Sequence, residues 1–362
     1  MKKTLSCMLI ICLLIPFCFA SCKKKETGGF SSITSSDIPY TETTSEIAKT
    51  EEGGEFTFAF DPYVLPRDVK KELGTITHYK NFVNAVIARQ SSVSMPSRDE
   101  YDMIRFAIGE NFPYSALISG YRYDSATNSI LISYEYNSSH NDKISQFKSA
   151  VQEVFDACVK NTDDDTLAAI SLYSYLVQNI EIIETKPAEN PSDNAESSDI
   201  AIDETSSESD SEGQTIMADI YTTLIDKEGT ASSVASLYNF LLMQLGIDCK
   251  TVSSWNAKTY KTWNMIELDS KWYHCDIPAE QKEADGEGLK FFGMTEEKAS
   301  LNVNGNEIYT GQWTWFSKDL PKAKSNRFEE FDKIVSWEIN TDRDGILAYT
   351  DEFSRFSWNI ND

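Results

Sequence analysis

The chain has 362 residues and a formal net charge of −24 at pH 7, with 57 acidic against 33 basic residues. Phosphate binding needs clustered cations, so this charge excludes nucleic acid and anionic polymers as expected partners and permits cationic ones. The length leaves room for two modest domains or one elaborated domain once terminal and loop segments are subtracted.

The first 22 residues form a short apolar segment that ends in a cysteine. Lys2 and Lys3 precede an apolar run from Leu5 to Phe19, which is too short to span a membrane. The four residues that end at Cys22 resemble a bacterial lipobox, so we expect a lipoprotein signal peptide and acylation of Cys22, for instance with palmitate. The alternative is an ordinary cleaved signal peptide. Lipidation would anchor the protein at the outer face of the cell membrane or at an outer membrane, since each buried methylene contributes about 0.8 kcal/mol.

Residues 23–54 are rich in Ser, Thr, Glu and Gly and contain few apolar side chains, which indicates a disordered tether. Short strand-like and helix-like apolar patterns alternate over residues 55–140 and predict a small α+β region. The pattern places a strand over 55–60, helices over 68–73 and 79–88, and a hairpin of 115–123 with 129–136.

Residues 141–320 are the predicted core, and amphipathic helices are expected over 143–159 and 166–177. An insertion at 184–213 interrupts the core, with ten acidic residues between 184 and 212 against the single Lys186. This composition indicates a disordered, solvated loop, with an acidic lid or partner-docking strand as the alternative. Residues 321–362 are expected to form a C-terminal extension.

An apolar stripe follows Gly229 and predicts a helix that ends at Gly246. Its members recur at steps of three and four residues: Val234, Leu237, Tyr238, Leu241, Leu242 and Leu245. Ala231 therefore lies in the first turn. A cysteine at this position would have its thiolate stabilised by the helix dipole, whereas alanine has no group to ionise.

Two strands, 263–268 and 271–277, are predicted to pair through a two-residue turn at Asp269 and Ser270. This register places Trp263 opposite Asp276. Lys261 then lies diagonal to Asp276, roughly 7 to 8 Å away at the backbone, and we expect the two to form an ordinary ion pair.

Three segments in this order resemble the core of transglutaminase-like domains. GTASSVASLYNFLLMQLGIDC has Ala231 at the family's catalytic cysteine, KTWN has Lys261 at its histidine, and LDSKWYHCDIP has Asp276 at its aspartate. The resemblance implies an α+β, papain-like fold with a helix packed on an antiparallel sheet. It also implies acyl transfer or amide hydrolysis through a cysteine acyl-enzyme, for which this chain lacks the nucleophile and the base.

We therefore expect a pseudoenzyme that binds a protein, a peptide or a cell-envelope glycan in the former active-site groove. Trp255, Trp263 and Ser232 are the candidate groove residues, and Trp313 and Trp315 share one face further along the chain. One alternative is an active enzyme that uses Ser232 with Lys261. Two arguments oppose this alternative. The carboxylate near Lys261 favours the charged ammonium, which cannot act as a base. Ser232 lies one residue after Ala231 on the helix, so its side chain is turned by about 100° from the direction of the nucleophile. The other alternative is a purely structural surface protein.

The remaining cysteines and histidines indicate no replacement catalyst, metal site or cofactor. Cys158, Cys249 and Cys275 are expected to be small buried hydrophobes. His78 and His140 have no metal-ligand spacing between them, and His274 occupies a position that is often a non-catalytic histidine in the family.

Overall fold

The computed structural model describes residues 58–134, 139–161, 163–183, 219–255, 260–283, 287–303, 308–309, 320–352 and 354–361. The predicted signal peptide, Cys22, the tether, the acidic insertion, Trp313 and Trp315 all lie outside these ranges, as does the side chain of Trp255. No helix in the described ranges is both long enough and apolar enough to cross a membrane.

The region before residue 140 combines three helices with a small antiparallel sheet of order β1-β3-β2. Its elements are α1 (Arg67–Leu73), α2 (Thr77–Ile87), β1 (Ser92–Ser94), α3 (Arg98–Asn111), β2 (Ile118–Asp124) and β3 (Ser129–Tyr134). The predicted hairpin is confirmed, since Asp124 pairs with Ser129. Residues 58–60 form no strand, which corrects that part of the prediction at 55–60.

Helix α3 was not predicted, although its start has a sequence signature. The Ser97 side chain accepts a hydrogen bond from the Glu100 backbone N–H at 3.2 Å. A serine followed three residues later by glutamate is the pattern of a capping box, so local sequence could have located this N-terminus.

The next elements lead to a central helix, α7. They are α4 (His140–Cys158), α5 (Asp165–Asn179), β4 (Glu181–Ile182), α6 (Ile220–Asp226), β5 (Glu228–Gly229) and α7 (Ala231–Gln244). Helices α4 and α5 confirm two sequence predictions. Every residue of α7 from Ser233 to Gln244 is buried, as expected of a helix covered by protein on all sides.

Both ends of α7 follow from local chemistry. The Thr230 side chain accepts a hydrogen bond from the Ser233 N–H at 3.2 Å, which caps the N-terminus. At the other end Gly246 has a φ of 81°, and the Ile247 N–H donates to the Leu242 carbonyl at 3.1 Å. This is a Schellman motif, and it confirms the predicted end of the helix.

A four-stranded sheet of order β8-β7-β6-β9 packs against α7. Its strands are β6 (Cys249–Trp255), β7 (Tyr260–Leu268), β8 (Lys271–Cys275) and β9 (Ile308–Tyr309), all paired antiparallel. Leu268 pairs with Lys271, and Asp269 and Ser270 have φ values of 50° and 59°. Positive φ at both central residues defines a type I′ turn, so the predicted turn and register are confirmed. The helix on an antiparallel sheet confirms the α+β fold class.

Strand β8 is shorter than predicted. It ends at Cys275, and helix α8 (Ile277–Glu283) follows directly. Asp276 Oδ1 accepts a hydrogen bond from the Ala279 N–H at 2.9 Å, so this carboxylate caps α8 instead of extending the strand to residue 277. Helix α9 (Glu296–Asn302) comes next in the chain.

The C-terminal residues form a separate antiparallel sheet of order β10-β11-β12. The strands are β10 (Ile334–Ile339), β11 (Gly345–Thr350) and β12 (Arg355–Asn359). Ile346, Ala348 and Trp358 from this sheet belong to the same hydrophobic cluster as the apolar residues of α7. What the sequence indicated only as an extension therefore packs into the main core.

Candidate functional site

Position 231 lies at the positive end of the central helix. Ala231 is the first residue of α7 and is partly exposed, as is Ser232. Ser233 is buried, and its Oγ donates to the Thr230 carbonyl at 3.1 Å. The first turn of α7 thus offers a helix dipole and an accessible position, but its leading side chain is a methyl group.

The two faces of β7 have different surroundings. Asn264 faces α7, because its Nδ2 donates to the Ala235 carbonyl at 2.8 Å. Side chains alternate along a strand, so Lys261 and Trp263 share the opposite face. From the order of the three family-like segments we predict that Ala231 lies within about 10 Å of Lys261 and Asp276.

Asn302, at the end of α9, joins Lys261 to Asp276. Its Nδ2 donates to Asp276 Oδ2 at 2.7 Å, while Lys261 Nζ donates to the Asn302 carbonyl at 2.9 Å and to its Oδ1 at 3.3 Å. The direct ion pair predicted between Lys261 and Asp276 is wrong, since no ion pair within the described ranges joins them. The free carbonyls at a helix C-terminus attract a lysine, and the asparagine amide supplies the donor that the carboxylate needs.

Asp276 is a buried acid, with 3% of its surface exposed. Burial raises its pKa to about 6, against the lowering effects of the Ala279 N–H, the Lys261 charge and the Asn302 amide. The carboxylate therefore has two structural partners, α8 through its first oxygen and α9 through its second.

Asp276→Asn is expected to remove a pH-dependent part of the stability. The folded protein binds the Asp276 proton more tightly than the unfolded chain does, because aspartates in an unfolded chain have a pKa near 3.9. The protonated carboxyl therefore contributes its full stabilisation below about pH 4, and this stabilisation is lost as the pH rises through about 6. The advantage of wild type over Asp276→Asn in unfolding free energy should be greater at pH 4 than at pH 7, by up to about 3 kcal/mol. Urea denaturation at several pH values measures this difference. A difference that stays constant with pH contradicts the prediction.

A second polar chain crosses the same sheet face. The Trp263 indole N–H donates a hydrogen bond to His274 Nδ1 at 3.0 Å, so the ring proton of His274 lies on Nε2. This Nε2–H donates to Glu296 Oε2 at 3.4 Å. This hydrogen bond from His274 is the main cause that lowers the pKa of Glu296. Trp263 is only 1% exposed and packs in a cluster with Val252 and Met265. Its burial corrects the assignment of Trp263 to an open groove.

The other two histidines have structural contacts in the N-terminal region. His78 Nε2 lies 3.6 Å from Glu100 Oε2, and His140 Nε2 lies 2.8 Å from the Val86 carbonyl oxygen. Within the described ranges, no group of three or more His, Cys, Asp or Glu side chains is arranged to hold a metal ion.

The internal cysteines are poor nucleophiles. Cys249 and Cys275 are fully buried, and burial raises the pKa of both thiols well above the ordinary value. Burial also raises the pKa of Cys158 to about 12. Its thiol donates a hydrogen bond to the Val154 carbonyl oxygen at 3.0 Å. None of these three thiols is therefore an activated nucleophile.

Sequence reasoning missed a buried carboxylate in α8. Glu280 is 0% exposed, and burial raises its pKa. Its Oε2 accepts from the Tyr173 hydroxyl at 2.9 Å and the Phe291 N–H at 2.7 Å, and its Oε1 from the Lys290 N–H at 3.1 Å. The same hydroxyl lies 3.1 Å from the Asp276 carbonyl. No local signal marked Glu280, because α8 itself was not predicted.

Residues 152–277 match the family model of the Transglutaminase-like superfamily. The chain therefore contains a transglutaminase-like superfamily domain, which runs from α4 to the start of α8, and the resemblance is confirmed. Ala231, Lys261 and Asp276 all lie within the matched range. No curated protein sequence matches the chain.

Proposed function

We propose that this chain is a catalytically inactive transglutaminase-like protein that acts by binding. The observation that carries the proposal is Ala231 at the first position of α7, where the resemblance places the nucleophile. An acyl-enzyme needs a side chain that can attack a carbonyl carbon, and a methyl group cannot. The buried thiols of Cys249 and Cys275 offer no substitute.

The orientation of Lys261 also supports inactivity. For a serine and lysine pair, its amine would have to accept a proton from Ser232 Oγ. Instead, Nζ donates to two oxygens of Asn302. The contacts of Lys261 therefore favour a structural role at the C-terminus of α9.

A structural surface role is the second candidate, and a specific contact favours it. Asn302 occupies the second oxygen of Asp276, where the resemblance implies a histidine partner, and Trp263 is buried. Binding in the former groove would therefore depend on its outer part, where Ala231 and Ser232 are partly exposed.

We further propose that the protein is a lipoprotein held outside the cytoplasm by acylated Cys22. The support is the sequence pattern alone, with two lysines, an apolar run and a lipobox-like end. A tether over 23–54 would then separate the folded residues from the lipid headgroups by about 30 Å on average.

We expect the purified protein to show neither transamidation nor amide hydrolysis above the buffer rate, because position 231 cannot form an acyl intermediate. The measurements are incorporation of a fluorescent amine into a glutamine-containing peptide, and ammonia release from the same peptide. The matched control is Ser232→Ala. Turnover that survives purification and disappears in Ser232→Ala would overturn the proposal in favour of serine catalysis.

A further inference from the structure

A cavity of about 1110 Å³ lies between the C-terminal end of α5 and the first strand of the C-terminal sheet. Its lining includes Val177 and Glu181 on one side and Trp337 and Ile339 on the other. None of the three family positions, at 231, 261 and 276, contributes to it. The cavity is therefore distinct from the former active site.

One wall of this cavity is the free edge of β10. The strand order places β10 at the side of its sheet, with β11 as its neighbour. The Asn340 N–H donates to the Gly345 carbonyl at 3.1 Å, so the alternation of an antiparallel ladder directs the backbone groups of Trp337 and Ile339 away from β11. Within the described part of the chain, no hydrogen bond reaches these outward groups. An unpaired strand edge is a template for another extended segment.

The charges and the aromatic ring at this edge favour a basic occupant. Glu181, Glu287 and Glu338 line the cavity and are exposed, and Trp337 is partly exposed. Lys227 also lines the cavity, but its Nζ lies 5.5 Å from the centroid of the Tyr175 ring and 3.3 Å from its hydroxyl. The carboxylates that line the cavity attract an ammonium or a guanidinium by charge, and the Trp337 indole offers a cation–π contact.

We propose that this cavity binds an extended peptide with basic side chains, which adds to the free edge of β10 as a fourth strand. Main-chain hydrogen bonds to Trp337 and Ile339 hold the peptide, and the surrounding carboxylates select its charge. The inference rests on the proposed binding role, and it names a site and a ligand class for that role. It does not depend on the loss of catalysis.

The test uses the full-length protein and a blocked nine-residue peptide of alternating lysine and valine, titrated by calorimetry. We expect saturable binding, and binding at least tenfold weaker for the matched peptide of alternating glutamate and valine. Two further lysine-valine peptides carry N-methyl groups on the odd or on the even residues. Only one set of N–H groups faces β10, so one methylated peptide should bind at least tenfold more weakly and the other should retain its affinity.

Protein variants locate the site. Glu287→Gln with Glu338→Gln should weaken binding of the lysine-valine peptide several-fold, whereas Glu153→Gln, on α4 and outside the cavity lining, should leave it unchanged. Ile339→Pro removes an outward N–H without removing a bond to β11, and it should also weaken binding.

Absence of saturable binding, or equal loss with both methylated peptides, would overturn the proposal. A dimer in sedimentation that Ile339→Pro dissociates and the peptide does not would assign the edge to a second copy of the chain instead. Failure of the inactivity proposal is recognised separately, because it requires turnover in the transamidation or hydrolysis assay.

Discussion

Glu280→Ala is expected to lower the free energy of unfolding by about 3–5 kcal/mol. The substitution removes the acceptor for the Tyr173 hydroxyl and for the backbone N–H groups of Lys290 and Phe291. Buried donors without a partner cost about 1–3 kcal/mol each, and Tyr173 alone keeps a second acceptor, the Asp276 carbonyl. Urea denaturation followed by circular dichroism measures the loss.

Glu280→Gln is the matched control. Its carbonyl oxygen can still accept from Tyr173 and Phe291, but its amide nitrogen would meet the donating N–H of Lys290. We therefore expect a smaller loss, about 1–2 kcal/mol. If alanine and glutamine variants are equally stable, or if both match wild type, Glu280 does not organise this part of the core.

The double variant Ala231→Cys with Lys261→His is expected to contain a thiol that alkylates with a midpoint at about pH 7 or lower. The start of α7 supplies partial positive charge, and the new imidazole would accept the thiol proton. Alkylation with iodoacetamide against pH measures the thiol pKa without any need for substrate. Wild type gives the background from the native cysteines, and Ala231→Cys alone separates the helix effect from the imidazole effect.

Asn302 provides a further step in this experiment. Its amide holds Asp276 Oδ2, so it would compete with the introduced imidazole for the carboxylate. Adding Asn302→Ala to the double variant should therefore raise the alkylation rate near pH 7 several-fold. If both combinations titrate as an ordinary thiol near 8.5, these positions do not form a decayed triad.

The contacts of Asp276 give it a structural role that is independent of catalysis. One oxygen caps α8 through Ala279, and the other receives the amide of Asn302 at the end of α9. Replacing Asp276 would release both contacts and leave buried donors without an acceptor. The aspartate can therefore persist for structural reasons that do not require a neighbouring imidazole.

Elements whose hydrogen bonds are local could be predicted from the sequence. Helix α7 was predictable at both ends, because Thr230 caps its start and Gly246 adopts the left-handed conformation at its end. The turn at Asp269 and Ser270 set the pairing of β7 with β8. These features depend on residues within a few positions of each other, and the family resemblance followed from their order.

The contacts within the site depend on long-range packing and could not be predicted from local sequence. Asn302 is 26 positions from Asp276 and 41 positions from Lys261 in the sequence, yet it is hydrogen-bonded to both. The side chain and carbonyl of this α9 residue therefore connect Lys261 to Asp276, in place of the predicted ion pair. The burial of Trp263, the partners of Glu280 and the free edge of β10 likewise depend on how distant segments pack. Local periodicity specifies which face of an element is apolar, but it does not specify which distant segment covers that face.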